Sequence, residues 1–100
     1  MAWSKRADIG GGPPRGIDVG VASLQVARDN PYRRKMTLVN DSAAVIYVAK
    51  SDTALLNAGI RLNANGGAIV DEPDQTGYIY TGPWSAITTV AAQRLCVQEN

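Results

Sequence analysis

The stretch "RRKMTLVNDSAAVIYVAK", residues 33–50, sets two apolar runs on either side of an Asn-Asp-Ser corner. In the first run Met36 and Leu38 point one way and Lys35, Thr37 and Val39 the other, the period-two pattern of a strand with one buried face. The second run, "AAVIYVAK", is rich in β-branched and aromatic residues, which favour a pleated, half-buried surface. Joined by a compact turn at 40–42, the two read as a β-hairpin at the centre of the fold.

Short β-like segments separated by turn signals continue on both sides. Upstream, "IDVGVASLQVA" places Val19 and Val21 on one face and Leu24 and Val26 on the other, a change of parity near Ala22 and Ser23 that fits a bulge or a bent strand. "DNP" closes it, since the residue before Pro31 is pushed out of the helical region. Downstream, "SDTALLNAG" could form one helical turn, with Ser51 or Asp52 as cap and Gly59 as stop. "GIRLNANGGAIVDE" is extended on either side of an Asn65-Gly66 turn. "YIYT", "WSAIT" and "RLCVQE" supply further strands. A helical face through Ala86, Ile87, Val90, Ala91, Arg94 and Leu95 is the alternative for the last part, and the β-branched run 87–90 weighs against it. The expectation is an all-β domain, an antiparallel β-sandwich or jelly-roll-like barrel of seven to eight short strands.

A chain of 100 residues holds one core. The division expected is a Gly/Pro-rich extended arm over 1–16 and a single β domain over 17–100. The arm holds four of the ten glycines together with Pro13 and Pro14, too little apolar material to order itself. It reads either as a disordered leader with an incidental Trp3 or as an arm that docks on a partner through Trp3 and Ile9 and orders there.

Catalysis and metal binding find little support. The chain has no His and one Cys, which removes the commonest general base and metal ligand and any internal disulfide. Cys96, between Leu95 and Val97, reads as a packed, inert thiol. "GGGPPRG" lacks the Gly-Lys-Ser/Thr ending of a phosphate loop. Asp71, Glu72 and Asp74 form the one acidic cluster. They lack the ordered spacing of a calcium loop and read as a solvated turn that guards a strand end. No cofactor is expected, and the chain does not read as an enzyme. No apolar run approaches the length of about 20 residues that a membrane helix requires.

The cations Arg28, Arg33, Arg34 and Lys35, with Tyr32 among them, have the composition of a nucleic-acid surface. The formal net charge of +1 gives no global field, however, and adjacent Arg33 and Arg34 point to opposite faces. A protein-facing role is favoured. One arrangement sets Arg33, Arg34 and Lys35 of one copy against Asp71, Glu72 and Asp74 of the next in a symmetric homo-oligomer.

The order of motifs "RRKMTLVNDSAAVIYVAKSDTALLNAGIRLNANGGAIV", "GYIYTGPWSAIT" and "RLCVQEN" resembles small virion proteins of tailed bacteriophages. Both share a strand ending in an Asn-containing turn, an "IYVA" strand, a "GIRL" segment with a Gly-rich turn and a closing strand ending V-x-E. The resemblance spans roughly residues 33–100. It implies a capsid decoration (cement) or head-fibre-like module, a homo-oligomer such as a trimer, bound to the major capsid protein. Such a protein sits on the outer surface of the capsid and is assembled in the host cytoplasm. The interface would draw on Trp3, Ile9, Tyr32, Arg33, Arg34, Asp71, Glu72 and Asp74. The alternative is a fibre or tail attachment module that binds a host receptor or glycan through exposed residues among Tyr32, Tyr78, Tyr80 and Trp84.

Overall fold

The computed structural model describes residues 13–100. They form eight strands: β1 Arg15–Val19, β2 Leu24–Ala27, β3 Met36–Asn40, β4 Ile46–Ala49, β5 Ile60–Leu62, β6 Ala68–Asp71, β7 Trp84–Thr88 and β8 Gln93–Glu99. There is no helix among the described residues, so 51–59 makes turns and bends and 84–99 is extended. The expected arm begins outside the described residues, and β1 opens at Arg15, within its last two positions.

The strands lie in two four-stranded sheets, ordered β1-β8-β3-β6 and β2-β7-β4-β5. First pairs with last, second with seventh, third with sixth and fourth with fifth, all antiparallel. The chain is thus one long hairpin rolled up so that β3 also meets β8 and β4 meets β7. That is the jelly-roll arrangement of two sheets over one core.

Alternation places the core. β3 buries Met36, Leu38 and Asn40 and half-exposes Thr37 and Val39, as its sequence pattern predicts. Ile46 and Val48 on β4, and Leu95 and Val97 on β8, do the same from their own sheets. With Val19, Val26, Leu62, Trp84 and Ala86 they make one apolar cluster between the layers. Cys96 lies on the outer face of its sheet, half-buried and unbridged. β7 is buried along its whole length. Its outer side is covered by the 50–59 connection, where Ser85 Oγ donates to the Ser51 carbonyl at 2.9 Å, Tyr47 Oη donates to Asn57 Oδ1, and Ala54 is buried.

The central hairpin expected at 33–50 does not form: β3 and β4 belong to different sheets. A tight hairpin reverses the chain within a sheet and needs positive φ at its corner. No residue of 41–45 has positive φ, and the five residues instead carry the chain from one layer to the other. Asn40, fully buried, holds that crossing. Its Nδ2 donates to the carbonyls of Ala44 (2.7 Å) and Leu62 (3.0 Å), and its Oδ1 accepts from Ser42 Oγ (2.6 Å).

The predicted turn at Asn65-Gly66 is present, with φ of 60° and 110°, and it too joins strands of opposite sheets. Gly67 after it packs so tightly that a Cβ there would sit 2.4 Å from the Asn63 backbone N and O. The parity change in 17–27 has the same origin. Residues 20–23 leave one sheet for the other, and a bulge follows between Gln25 and Ala27.

These crossings sort the connections into two groups. Residues 28–35, the start of 50–59 and 72–83 gather at one end of the roll, beside the entry of β1 and the close of β8. Residues 20–23, 41–45, 63–67 and 89–92 gather at the other.

Candidate functional site

At the first end the dominant feature is Arg33, whose side chain is fully buried. It was expected to face a partner, and that expectation is corrected: the guanidinium turns into the molecule. Its Nε donates to Glu99 Oε1 at 2.8 Å, one Nη donates to the carbonyls of Tyr80 (3.1 Å) and Gly82 (2.8 Å), and the other donates to the Arg28 carbonyl (2.8 Å). The planar fork of Arg suits such simultaneous donation, and the acid and the carbonyls together meet the requirement that a buried charge be paired and hydrogen-bonded. Glu99 also accepts from Arg15 at 3.4 Å. The cluster therefore ties together the 28–35 loop, the 80–82 segment, the first strand and the last.

Arg34 points outward, as the opposite-face argument required, and among the described residues its side chain has neither hydrogen-bond nor ion-pair partner. Its backbone N–H and that of Lys35 donate to the Asn100 carbonyl at 2.7 and 3.1 Å, prolonging the β3–β8 edge. Tyr32 is exposed.

The acidic residues lie close to the basic ones within the same chain. β3 pairs with β6 so that Met36 faces Asp71. Lys35 then approaches Glu72 at 4.0 Å, and Lys50 reaches Asp71 at 3.1 Å. Both pairs have exposed members, and ion pairs of this kind contribute about 0–1 kcal/mol. Asp71 and Glu72 therefore already have cationic neighbours without a second copy. No group of residues able to hold a metal ion occurs among the described residues.

Asp74 organises its own turn. Its Oδ1 accepts from Thr76 Oγ1 (2.6 Å) and from the backbone N–H groups of Thr76 (2.9 Å) and Tyr78 (3.0 Å). The Thr76 hydroxyl first, then the two N–H groups, hold its pKa below the usual 3.8. A lowered folded-state pKa means that the turn's stabilisation is present above the ordinary carboxylate value and lost as pH falls through the lowered one. In an NMR titration the Thr76 and Tyr78 amide signals should move together with a midpoint below pH 3.8. A shared midpoint at or above that value would contradict the assignment.

The 78–81 segment is not a strand, because Gly77 has φ of 83° and Gly82 and Pro83 follow it, and no neighbouring strand pairs with it. A strand at "YIYT" would set Tyr78 and Tyr80 on one face, and instead they separate. Tyr78 is 79% exposed, whereas Tyr80 packs edge-on against Trp84 with ring centroids 6.0 Å apart. Tyr80 Oη donates to the Pro83 carbonyl at 2.7 Å, and burial raises its pKa, with Arg33 acting against the rise. Trp84 is fully buried, and the Lys50 ammonium lies 5.8 Å from its ring and 5.9 Å from that of Tyr80. Trp84 is thus excluded from any binding surface, and Tyr80 serves mainly as a wall.

Trp3 and Ile9 lie outside the described residues. Reasoning from sequence passed over Glu99, Lys50 and Gly82, and no local signal marks them, since each acts on groups distant in the chain. It also passed over Leu55 and Leu56, whose adjacency in a segment with no strand pattern was a usable sign of exposure.

Exposed aliphatic side chains other than Val70 on β6 collect toward the other end and the β2 edge. Val21 and Leu24 flank Ser23, whose Oγ accepts from Ala54 N–H at 2.8 Å, and Leu55 and Leu56 follow directly. Thr88 N–H donates to the Gly20 carbonyl at 3.0 Å, bringing the 89–92 turn, which carries exposed Val90, to the 20–23 connection. Comparison with protein-family models, with curated proteins and with solved structures finds no match to this chain.

Proposed function

We propose that this chain is a non-enzymatic structural protein of a tailed-phage virion that binds the capsid shell and stabilises it, with the major capsid protein as partner. The observation that carries the reading is the gathering of Val21, Leu24, Leu55, Leu56 and Val90 about the β2 edge by two hydrogen bonds. Exposed apolar residues collected on one side of a small domain mark an interaction surface. The phage resemblance of residues 33–100 supplies the class of partner, and a rigid jelly roll that adds buried contact at many equivalent sites needs no chemistry to stabilise a shell. In this reading the domain sits on the outer surface as a homo-oligomer, a trimer included, and residues 1–12 with Trp3 and Ile9 add contact to neighbouring subunits.

Binding of purified protein to empty shells, followed by co-sedimentation, tests it. Leu55→Asp with Leu56→Asp should weaken binding at least about a hundredfold, the effect of removing a pair of central interface residues. The thermal midpoint should barely change, because both side chains are exposed. Removal of residues 1–12 should weaken binding without unfolding the domain. Equal shell binding by the double variant would remove the reading's main support.

A further inference from the structure

The two ends of the roll differ in chemistry, and the end away from the apolar patch holds an open cleft. It lies between the 28–34 loop and the 73–82 segment, encloses about 610 Å³, and has Pro31, Arg34, Pro73, Tyr78 and Thr81 on its walls. That volume falls within the roughly 300–1,000 Å³ typical of small-ligand sites. A shallower hollow beside it is lined by Tyr32 and shares Pro31, Arg33 and Arg34. Among the described residues no carboxylate lines either one. The acids Asp71, Glu72 and Asp74 line a separate groove on the other side of the Tyr78–Tyr80 wall, where Lys50 faces them. With Arg33 consumed by Glu99 and the backbone carbonyls, Arg34 is the cation in the cleft that is free to take a ligand.

We infer that this cleft binds an acidic oligosaccharide, with the Arg34 guanidinium on a sugar carboxylate and the exposed rings of Tyr78 and Tyr32 against sugar faces. Three features select this ligand class. The free guanidinium is matched to a planar anion and can donate two parallel hydrogen bonds to a carboxylate. Tyr78 and Tyr32 are 79% and 61% exposed, and a tyrosine ring offers a large amphipathic contact area at low conformational-entropy cost. The walls are loops held from behind by Arg33, so the cleft is preorganised yet offers no open strand edge on which an extended peptide could add a strand. The inference goes beyond shell binding and stands apart from it, because it uses the opposite end of the domain.

The test is an NMR titration of the full-length chain with tri-galacturonic acid, with maltotriose and hexaglutamate as comparison ligands. Tri-galacturonic acid should bind saturably, moving the amide signals of 31–34 and 77–82. Arg34→Ala and Tyr78→Ala should each weaken it about tenfold, the loss expected for one charge-assisted pair or one aromatic contact. Arg94→Ala, which removes an exposed cation paired with Asp18 on another face, should leave the affinity unchanged. Maltotriose should bind at least about tenfold more weakly, since it offers Arg34 no carboxylate. Three results would overturn the inference: no saturable binding of the acidic trisaccharide, affinity indifferent to Arg34→Ala and Tyr78→Ala, or hexaglutamate binding as tightly, which would make the cleft an acidic-peptide site. A shell-binding failure in the Leu55 and Leu56 variant leaves all of these readouts untouched.

Discussion

Arg33→Ala should destabilise the domain by about 3–5 kcal/mol, the cost of breaking a buried pair by removing one partner. The carbonyls of Arg28, Tyr80 and Gly82 would lose their donor, and Glu99 would keep only the longer contact to half-exposed Arg15. Urea unfolding followed by tryptophan fluorescence checks it through a fall in midpoint at unchanged slope. Native domains of this size hold only about 5–15 kcal/mol, so Arg33→Lys replaces the alanine variant where that fails to fold. Lys should recover only part of the loss, because one ammonium cannot reach an acid and three carbonyls in the geometry of a planar fork. A double-mutant cycle with Glu99→Gln isolates the ion pair from the carbonyl contacts. An Arg33→Ala shift under about 1 kcal/mol, the size of a surface pair, would show that the buried cluster is not what holds this end together.

Asn40→Leu should cost at least about 2 kcal/mol, since a buried polar group left without its partner and an overpacked corner each cost about 1–3 kcal/mol. The substitution raises hydrophobicity, yet it adds volume to a packed corner and takes the Nδ2 donor from the Leu62 and Ala44 carbonyls, leaving Ala44 only the longer bond from Ser42 Oγ at 3.1 Å. Ser42→Ala, which gives up only the bond to Asn40 Oδ1 and weaker local contacts, should cost about 1 kcal/mol. The same unfolding measurement compares the two. If Asn40→Leu were neutral, the corner would be held by packing alone and the crossing between sheets would need another cause.

Alternation along the chain was enough to say which face of most strands turns inward. Met36, Leu38, Ile46, Val48, Leu95 and Val97 all point into the core as their spacing requires, because side chains of a strand have a period of two whatever lies beside it. The same rule put Arg33 and Arg34 on opposite sides, and one is buried and the other exposed. It was silent on which of the two turns inward. That choice rests on the carbonyls of Tyr80 and Gly82 and on the Glu99 carboxylate, which arrive from 47 to 66 residues away.

Strand partners were less legible. Adjacent runs around a compact turn usually pair, so β3 and β4 read as a hairpin. In the roll β3 lies instead between β8 and β6, and β4 between β7 and β5. Nothing in "VNDSAA" differs from a hairpin corner by composition; the difference is the absence of positive φ and the inward turn of Asn40. The tyrosines failed for a similar reason. A period of two assigns Tyr78 and Tyr80 one face only if the segment is a strand, and Gly77, Gly82 and Pro83 keep it a loop.

An all-β domain of short strands, the buried faces of most of them and the Asn65-Gly66 turn were legible in the chain, because these depend on side-chain size, polarity and backbone preference over a few residues. Tertiary structure alone decided the pairing of first strand with last, the burial of Arg33, the exposure of Tyr78 and the separation of an apolar end from a cationic cleft. Each of those depends on groups distant in the chain, and their energies exist only once the sheets have closed over one another.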